Sequence, residues 1–476
     1  MTIMGSQAVQ TSITAEELQK VLSQIQSLYL DQARPWVIGY SGGKDSTTAL
    51  QLVWQAIERM DPNDRKYPIY VIASDTQVET PMIVDYITKN IRLINEAARD
   101  KGLPFEATTV KPDLAGSFWV NLIGKGYPAP TTRFRWCTER MKIQPANRFI
   151  ESKVAEYGEV IMVLGVRSSE SGTRAQLMNT YKVSSDQPLR RHTTLRGAYV
   201  YAPIQDFTAD DVWTYLLTVP SPWGNNNRDL SAMYKNANAG ECPLVVDDST
   251  PSCGNSRFGC WVCTVASRDS SMEAMIDNGE DWMEPLLAFR DWLATTTDPE
   301  KKREFRQIKG RDGRVILKKD GTPAARTYKL SANKEMLRKL LEIERQVMDK
   351  GPDPDLRLIT IDELHEIRRI WRTERQDWDD SVPMIYEDVT GESLDWPSDD
   401  DVSFGNDHVQ LLESICHEHG VPFELVAKLI DAEKESDGMA RRSEIHKRVA
   451  SILSEEWRTE NDIIDDARQL GLFRST

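Results

Sequence analysis

The chain has 476 residues, 40% hydrophobic and 28% charged, with a formal net charge of −15. This size suits two or three packed domains, and the acidic balance excludes a polyanion-binding role for the chain as a whole. Any nucleic-acid contact would need a local basic patch. We expect a cytoplasmic protein with no membrane attachment, because no apolar run is long enough to span a bilayer and no signal-peptide core is present.

The first half of the chain alternates predicted strands and helices. Residues 1–34 carry an N-terminal helix over 15–32, with Thr14 as a possible N-cap. Helices are then predicted from Lys44 to about residue 60 and over 80–100. The predicted strands are 36–40, 67–75, 104–110 and 159–166. Continuous apolar strands separated by helices are typical of a parallel sheet covered on both faces, so we predict an α/β domain over 35–220.

A glycine-rich turn follows the first predicted strand and opens a helix. It reads Ser-Gly-Gly-Lys-Asp-Ser over residues 41–46. Backbone N–H groups of such a turn bind anions, and glycines let the main chain approach phosphate closely. A Walker loop is excluded because Asp45 follows Lys44, and no dinucleotide-binding GxGxxG sequence is present.

The 41–46 turn resembles the PP-loop of the ATP pyrophosphatases, enzymes that cleave ATP between the α- and β-phosphates. The resemblance implies an adenine nucleotide alpha hydrolase-like fold and an ATP site. In that site Lys44 neutralises the leaving pyrophosphate and Asp45 helps to hold Mg²⁺. Asp75, after the second strand, faces the nucleotide or the metal, or else caps the next helix. The implied ATP and magnesium residues of the turn are Ser41, Gly42, Gly43, Lys44, Asp45 and Ser46.

Three further stretches, residues 131–145, 164–174 and 202–213, are similar to the PAPS reductase branch of these enzymes. They supply cations suited to phosphate-bearing ligands, although each could instead form a surface or core ion pair. The resemblance assigns Arg167 and Arg174 to ATP. The other cations of these stretches are Arg133, Arg135 and Lys142.

Four of the six cysteines lie between residues 242 and 263, in a predicted cluster-binding segment over 221–300. Their spacing is C-x10-C-x6-C-x2-C, with proline and glycine among them. Four thiolates suit zinc or a [4Fe–4S] cluster, and a single CxxC pair favours the cluster over a zinc ribbon. The predicted ligands are Cys242, Cys253, Cys260 and Cys263.

The two remaining cysteines, Cys137 and Cys416, lie outside this group. Cys137 lies between Arg135 and Arg140, and neighbouring cations lower a thiol pKa, so it is a candidate nucleophile or persulfide carrier. A buried structural cysteine is the alternative. Cys416 lies in an apolar helical pattern and is predicted to be a core residue.

The second half of the chain changes in charge along its length. Residues 301–376 begin with a basic segment, in which 301–330 holds eleven Lys or Arg and a hairpin turning near Asp320. This segment could track DNA phosphates, or it could be a solvated face or an intramolecular partner of the acidic stretch 377–407. Residues 377–407 hold eleven acidic residues and no Lys or Arg, which predicts a linker. Residues 408–476 are predicted to form a helical module.

Together these features resemble the iron–sulfur ATP pyrophosphatases of bacterial DNA phosphorothioation. The resemblance implies replacement of a non-bridging oxygen of the DNA backbone by sulfur, with [4Fe–4S], ATP and Mg²⁺ as cofactors. It also implies DNA, a cysteine desulfurase and other proteins of the same modification system as partners. Three alternatives remain: a sulfonucleotide reductase, which the absence of cysteine after residue 416 disfavours, a tRNA thiolation enzyme, and a nucleotide-sensing DNA-binding subunit.

Overall fold

The computed structural model describes residues 13–168, 188–237, 259–397, 406–435 and 443–469. The chain divides into two compact units. The first contains Met1–Asp113 and Thr132–Asp281, and the second contains Leu114–Thr131 and Trp282–Thr476. Arg174, Cys242 and Cys253, three of the predicted site residues, lie outside the described residues.

The first unit is built on a six-stranded sheet. The spatial order is β3-β2-β1-β4-β6-β5, and every neighbouring pair is parallel except β5 with β6. The strands are β1 (Trp36–Gly39), β2 (Ile69–Ser74), β3 (Phe105–Val110), β4 (Val160–Val163), β5 (Arg190–Arg191) and β6 (Ala198–Tyr201). The sheet confirms the predicted parallel α/β class. The short antiparallel pair was not predicted.

Helices cover both faces of this sheet. On one face Val37, Met162 and Val200 pack with Ile150 in a single buried cluster, and on the other the Trp36 ring meets Tyr29 at 5.9 Å. Thr14 caps α1, accepting a hydrogen bond from the Glu17 N–H at 3.2 Å, as predicted. The helices are α1 (Ala15–Asp31), α2 (Lys44–Glu58), α3 (Pro81–Asp100), α4 (Gln144–Tyr157), α5 (Ala209–Thr218), α6 (Asn227–Ala237) and α7 (Ser270–Asp277).

The second unit is helical. A buried glutamate, Glu344, accepts hydrogen bonds from the backbone N–H groups of Leu358 and Ile359 and ties two of its segments together. Its helices are α8 (Glu284–Thr295), α9 (Leu330–Lys350), α10 (Ile361–Glu374), α11 (Ser381–Thr390), α12 (Asn406–His419), α13 (Phe423–Glu435), α14 (Ser443–Leu453) and α15 (Glu460–Gln469). Cys416 is buried in α12, as predicted.

The structure departs from the sequence-based expectation in two stretches of the chain. Residues 114–131 were placed within the 35–220 domain, but they pack in the second unit, where the Trp119 indole donates to the Leu358 carbonyl at 2.6 Å. The stretch 377–407 was read as a linker, but it contains α11. Buried residues at helical spacing, Val382, Ile385, Tyr386 and Val389, outweigh the acidic composition of that stretch.

Candidate functional site

The 41–46 turn joins the carboxyl end of β1 to the first turn of α2. Gly42 has φ +71°, a backbone conformation that glycine adopts without steric cost. The Ser46 hydroxyl holds the turn closed, because it accepts from the Ser41 N–H at 3.2 Å and donates to the Gly43 carbonyl at 3.0 Å. The turn is therefore preorganised before any ligand binds.

The turn lies where the strand order of the sheet reverses. β1 pairs with β2 on one side and with β4 on the other, so chain crossovers leave in opposite directions from this point. In open α/β sheets ligands bind at such a switch point, beyond the carboxyl ends of the strands. The topology places the 41–46 turn at the edge where a ligand site is expected.

Gly165, two residues beyond β4, allows the close approach of this strand to α2. A Cβ atom at Gly165 would lie 2.6 Å from the Asp45 carbonyl carbon and oxygen and 2.6 Å from the Ser46 nitrogen. Those atoms are backbone and cannot rotate away. A residue without a side chain is therefore required here for the turn to keep its position.

Asp45 lies between two cations at the start of α2. Its Oδ2 is 2.6 Å from Lys44 Nζ and its Oδ1 is 2.7 Å from Arg167 Nε. The three side chains are at most 15% exposed. Together they carry a net charge of +1, in a partly desolvated position where an arriving anion would be attracted strongly. The structure thus brings together three of the predicted site residues.

Tyr234, from α6, was not identified from the sequence. Its hydroxyl accepts a hydrogen bond from the Lys44 N–H at 3.0 Å, and its ring lies 5.6 Å from Lys44 Nζ. The tyrosine oxygen thus occupies the first amide of α2, which a phosphate oxygen would otherwise bind. No local sequence signal identifies this contact, because 190 residues separate its partners.

Asp75 lies at the end of β2, on the same edge of the sheet. Its Oδ1 accepts from the Gln77 N–H at 2.9 Å, and its Oδ2 is 3.0 Å from Lys111 Nζ. Gln77 has φ +63°, which the carboxylate stabilises through this local turn. Asp75 therefore shapes the loop that follows β2, and its partly exposed carboxylate faces solvent at the rim.

The CxxC pair is attached to that same loop. Cys260 forms a β-bridge with Glu79, and the Trp261 N–H donates to the Val78 carbonyl at 3.0 Å. The Cys260 Sγ is 3.5 Å from the Thr76 hydroxyl, and the Cys263 N–H donates to the Cys260 carbonyl at 3.0 Å. Both thiols are therefore presented from one turn next to the rim of the sheet.

Burial and charge act together on the turn that carries Cys260 and Cys263, which we call the cysteine loop. Burial raises the pKa of the Glu79 carboxyl and of the Cys260 thiol, while the nearby Lys142 ammonium opposes both shifts. Within the described residues the CxxC pair is joined by no third acidic, His or Cys side chain in a metal-binding group. The other two predicted ligands, Cys242 and Cys253, fall outside that part of the chain.

The predicted nucleophile Cys137 lies in a one-turn helix, Trp136–Thr138, and is half-buried. The following π-helical turn, Glu139–Ile143, carries Lys142 toward Glu79 and Cys260. Just before Cys137, the Nε and Nη1 atoms of Arg135 are buried, with no hydrogen-bond partner in the described structure. Buried guanidinium nitrogens without a partner are costly, so these two atoms of the half-buried Arg135 fit an anionic ligand. Arg133 is exposed.

Comparison with known proteins identifies two domains. Residues 35–266 match the phosphoadenosine phosphosulfate reductase domain, and residues 409–453 match a small protein found in certain Dnd DNA modification systems. The chain thus contains a PAPS reductase-like domain of the PP-loop superfamily, with its mostly parallel sheet, and a Dnd-system domain near its C-terminus. Among the described residues, no helix has the length and apolar character needed to cross a bilayer.

An uncharacterized protein of Methanocaldococcus jannaschii is 25% identical over 199 residues, which are 42% of this chain and 35% of that protein. The chain therefore spans about a third of the length of this relative. FMN adenylyltransferase of Candida glabrata, solved with FAD and inorganic pyrophosphate, matches with 14% identity and a TM-score of 0.28, covering 52% of this chain and 75% of that one.

The U34-tRNA thiolase NcsA of Methanococcus maripaludis, solved with its [4Fe-4S] cluster, matches with 12% identity and a TM-score of 0.28. This match covers 62% of the present chain and 88% of the thiolase. Both TM-scores are too low for either structure to inform the chemistry of this chain.

Proposed function

We propose that the chain is an ATP-dependent sulfurtransferase of DNA phosphorothioation, an enzyme of the DndC type. It uses ATP to activate a phosphate of the DNA backbone and then replaces a non-bridging oxygen of that phosphate by sulfur. The observation that carries the proposal is the preorganised 41–46 turn with its Lys44–Asp45–Arg167 cluster, in a chain that also contains a Dnd-system domain.

ATP binding would redistribute the charges at the turn. Lys44 and Arg167, which now neutralise Asp45, would turn to the phosphate oxygens because a triphosphate carries far more negative charge. That exchange would release the Asp45 carboxylate, a ligand type that suits Mg²⁺, and Asp75 at the rim fits the same ion. When bound, Mg²⁺ neutralises phosphate charge. Lys44 would then stabilise the charge that develops on the departing pyrophosphate.

Activation of the DNA phosphate follows from this ATP chemistry. A non-bridging oxygen of the phosphodiester attacks the α-phosphorus of ATP, and the bond to the β-phosphate oxygen breaks with release of pyrophosphate. The product is an adenylated DNA phosphate in which AMP is a good leaving group. One difficult displacement is thereby divided into two easier ones.

Sulfur then replaces the activated oxygen. A sulfur nucleophile attacks the DNA phosphorus, and AMP leaves with the original oxygen. With hydrosulfide the step needs no redox partner. With a Cys137 persulfide the product is a mixed disulfide, which a thiol must reduce by two electrons to release the phosphorothioate. We assign the carrier role to Cys137, with a cysteine desulfurase as donor and other Dnd proteins as partners. Arg135, two residues away, would hold an oxyanion of the substrate.

The cysteine loop fits an iron–sulfur cluster. Cys260 and Cys263 lie on one turn, and the Thr76 hydroxyl is within reach of the Cys260 sulfur as a hydrogen-bond donor. We propose that Cys242 and Cys253 complete a [4Fe–4S] site. When bound, such a cluster supplies sulfide coordination or electron transfer. The chain's own contribution is to fix this site to the 76–79 loop at the rim.

Incubation of the purified chain with ATP, Mg²⁺, duplex DNA, a cysteine desulfurase, cysteine as the sulfur source and a thiol reductant tests the proposed function. The expected products are AMP, pyrophosphate and DNA whose nuclease digest contains phosphorothioate-linked dinucleotides by mass spectrometry. Sulfite release from adenylylsulfate, thiolation of tRNA, or ATP binding without turnover under anaerobic conditions would each contradict it.

We predict that Cys260→Ser and Cys263→Ser lose most of the iron and acid-labile sulfide of anaerobically prepared protein, because each removes a thiolate ligand. Metal and sulfide analysis, with the visible absorption of the cluster, measures the loss. Cys416→Ala is the matched control, since Cys416 is buried in the helical unit and its change should leave iron unaltered. Zinc in place of iron in the wild-type protein would refute the cluster assignment.

A further inference from the structure

The basic segment of the second unit folds as a compact β-ribbon, which we define as residues 305–329. Three antiparallel bridges hold it: Arg306 with Tyr328, Lys309 with Val315, and Leu317 with Pro323. Two turns connect its three arms, one over 310–313 and one over 318–321, where the Gly321 N–H donates to the Lys318 carbonyl at 3.0 Å. The turn predicted near Asp320 is confirmed, and the first turn is additional.

Cations at the base of the ribbon are already neutralised within the chain. Lys309 Nζ lies 3.0 Å from the Glu455 carboxylate and 3.4 Å from the centre of the Trp457 ring. Arg311 pairs with Glu374 at 2.6 Å. Burial lowers the pKa of Lys309, although the Glu455 carboxylate opposes that shift. Both cations are already paired with carboxylates of the chain.

The first turn of the ribbon is docked tightly on the segment that follows α14. The Glu456 N–H donates to the Gly313 carbonyl at 2.9 Å. A Cβ atom at Gly313, where φ is +70°, would lie 2.2 Å from the Glu455 Cγ. The ribbon is therefore anchored at this end by backbone contact as well as by charge.

The outer part of the ribbon differs in both exposure and charge. Arg314, Ile316 and Lys318 are exposed and alternate with the half-buried Val315 and Leu317, so they occupy one face of the arm. Ile316 is 48% exposed. The span from residue 314 to residue 318 is about 13 Å in an extended strand.

Lys319, in the second turn, is also exposed. In the described parts of the chain no carboxylate forms an ion pair with Arg314, Lys318 or Lys319. Two carboxylates lie beside these cations. Asp312 Oδ1 accepts from the Arg314 N–H at 3.3 Å, and Asp320, beside Lys318, uses its Oδ1 to accept from the Thr322 N–H and hydroxyl, which holds the turn. Lys318 also donates to the Thr322 hydroxyl at 3.0 Å.

We propose that this outer face, residues 314–319, is the surface on which the chain holds the backbone of duplex DNA. Arg314, Lys318 and Lys319 contact phosphates, and Ile316 packs on sugar between them. A chain of net charge −15 needs a local cation group to approach DNA. The choice of DNA over other polyanions rests on the proposed function.

Binding of full-length chain to a duplex oligonucleotide, without ATP, tests this surface over a range of salt concentrations. The triple variant Arg314→Ala/Lys318→Ala/Lys319→Ala should lose at least about tenfold in affinity. The salt slope, which is the slope of log affinity against log salt concentration, should fall in magnitude by about 2.7 because three phosphate contacts are removed. The matched control is Lys20→Ala/Lys89→Ala/Arg99→Ala, the same charge change on exposed residues of the first unit. It should leave both values unchanged.

A second control addresses folding. Lys309→Ala, at the base, should lower the thermal midpoint without changing the salt slope, whereas the triple variant should melt like wild type. The proposal is overturned if the triple variant binds the duplex as wild type does, or if the matched control loses as much affinity. It is also overturned if wild type does not bind the duplex, or if the triple variant loses affinity for tRNA only. If the triple variant loses DNA binding while wild type makes no phosphorothioate, the surface stands and the proposed function fails.

Discussion

Lys44→Ala is expected to reduce ATP-dependent pyrophosphate release by about 10²- to 10³-fold while ATP still binds, because it removes a cation that stabilises the leaving group. In the structure Lys44 Nζ is held 2.6 Å from Asp45 at the start of α2. Arg167 remains beside Asp45 in the variant and retains part of the attraction for ATP. Pyrophosphate release and equilibrium ATP binding are measured separately.

Two further variants make that result specific. Lys44→Arg keeps the charge but not the compact ammonium, so it should recover part of the activity. Lys20→Ala, an exposed lysine on α1, should behave like wild type. If the Lys44→Ala protein releases pyrophosphate at the wild-type rate, the turn takes no part in catalysis.

Gly165→Ala is expected to have a comparable effect through the backbone alone. Its Cβ would lie 2.6 Å from the main chain of Asp45 and Ser46, so the end of β4 and the first turn of α2 must separate. Overpacking of this kind costs about 1–3 kcal/mol. Displacing a catalytic group by about 1 Å can cost about 10²-fold in rate. We therefore expect a lower thermal midpoint together with a loss of pyrophosphate release.

The control for Gly165→Ala is Gly102→Ala in the loop after α3. Gly102 has φ +58° and open space around the position of a Cβ. That variant should lose about 1–2 kcal/mol of stability from backbone strain, with activity retained. If Gly165→Ala has the thermal midpoint and the pyrophosphate release rate of wild type, the close packing of β4 on the turn does not contribute to stability or activity.

The parallel core of the fold could be predicted from the sequence because local patterns determine it. β1, β2 and β4 are short apolar runs bounded by turn residues, β3 alternates buried with more exposed residues, and α1 has a complete capping box at Thr14. β5 consists of two arginines and gives no such pattern, whereas β6, an apolar run after Gly197, was overlooked. α11 was missed because acidic composition was weighed above the helical spacing of its buried residues.

The residues of the candidate site also fall into two groups: those that local sequence identifies and those that only tertiary contacts bring to the site. The 41–46 turn is contiguous, so its residues could be identified together, and Arg167 followed from a family resemblance. Tyr234 and Glu79 reach the site through tertiary contacts across 190 and 181 residues, respectively, for which no local signal exists. Gly165 could have been noticed as a glycine directly after an apolar strand, but its contact with Asp45 depends on the packing of β4 against α2.

A crystal structure with Mg²⁺ and α,β-methylene-ATP, which cannot be cleaved at the α–β bond, tests the central claim most directly. We expect the β- and γ-phosphates to lie on the backbone amides of the 41–46 turn, with Lys44 and Arg167 moved from Asp45 to phosphate oxygens. A triphosphate bound elsewhere, with both cations still on Asp45, would contradict it.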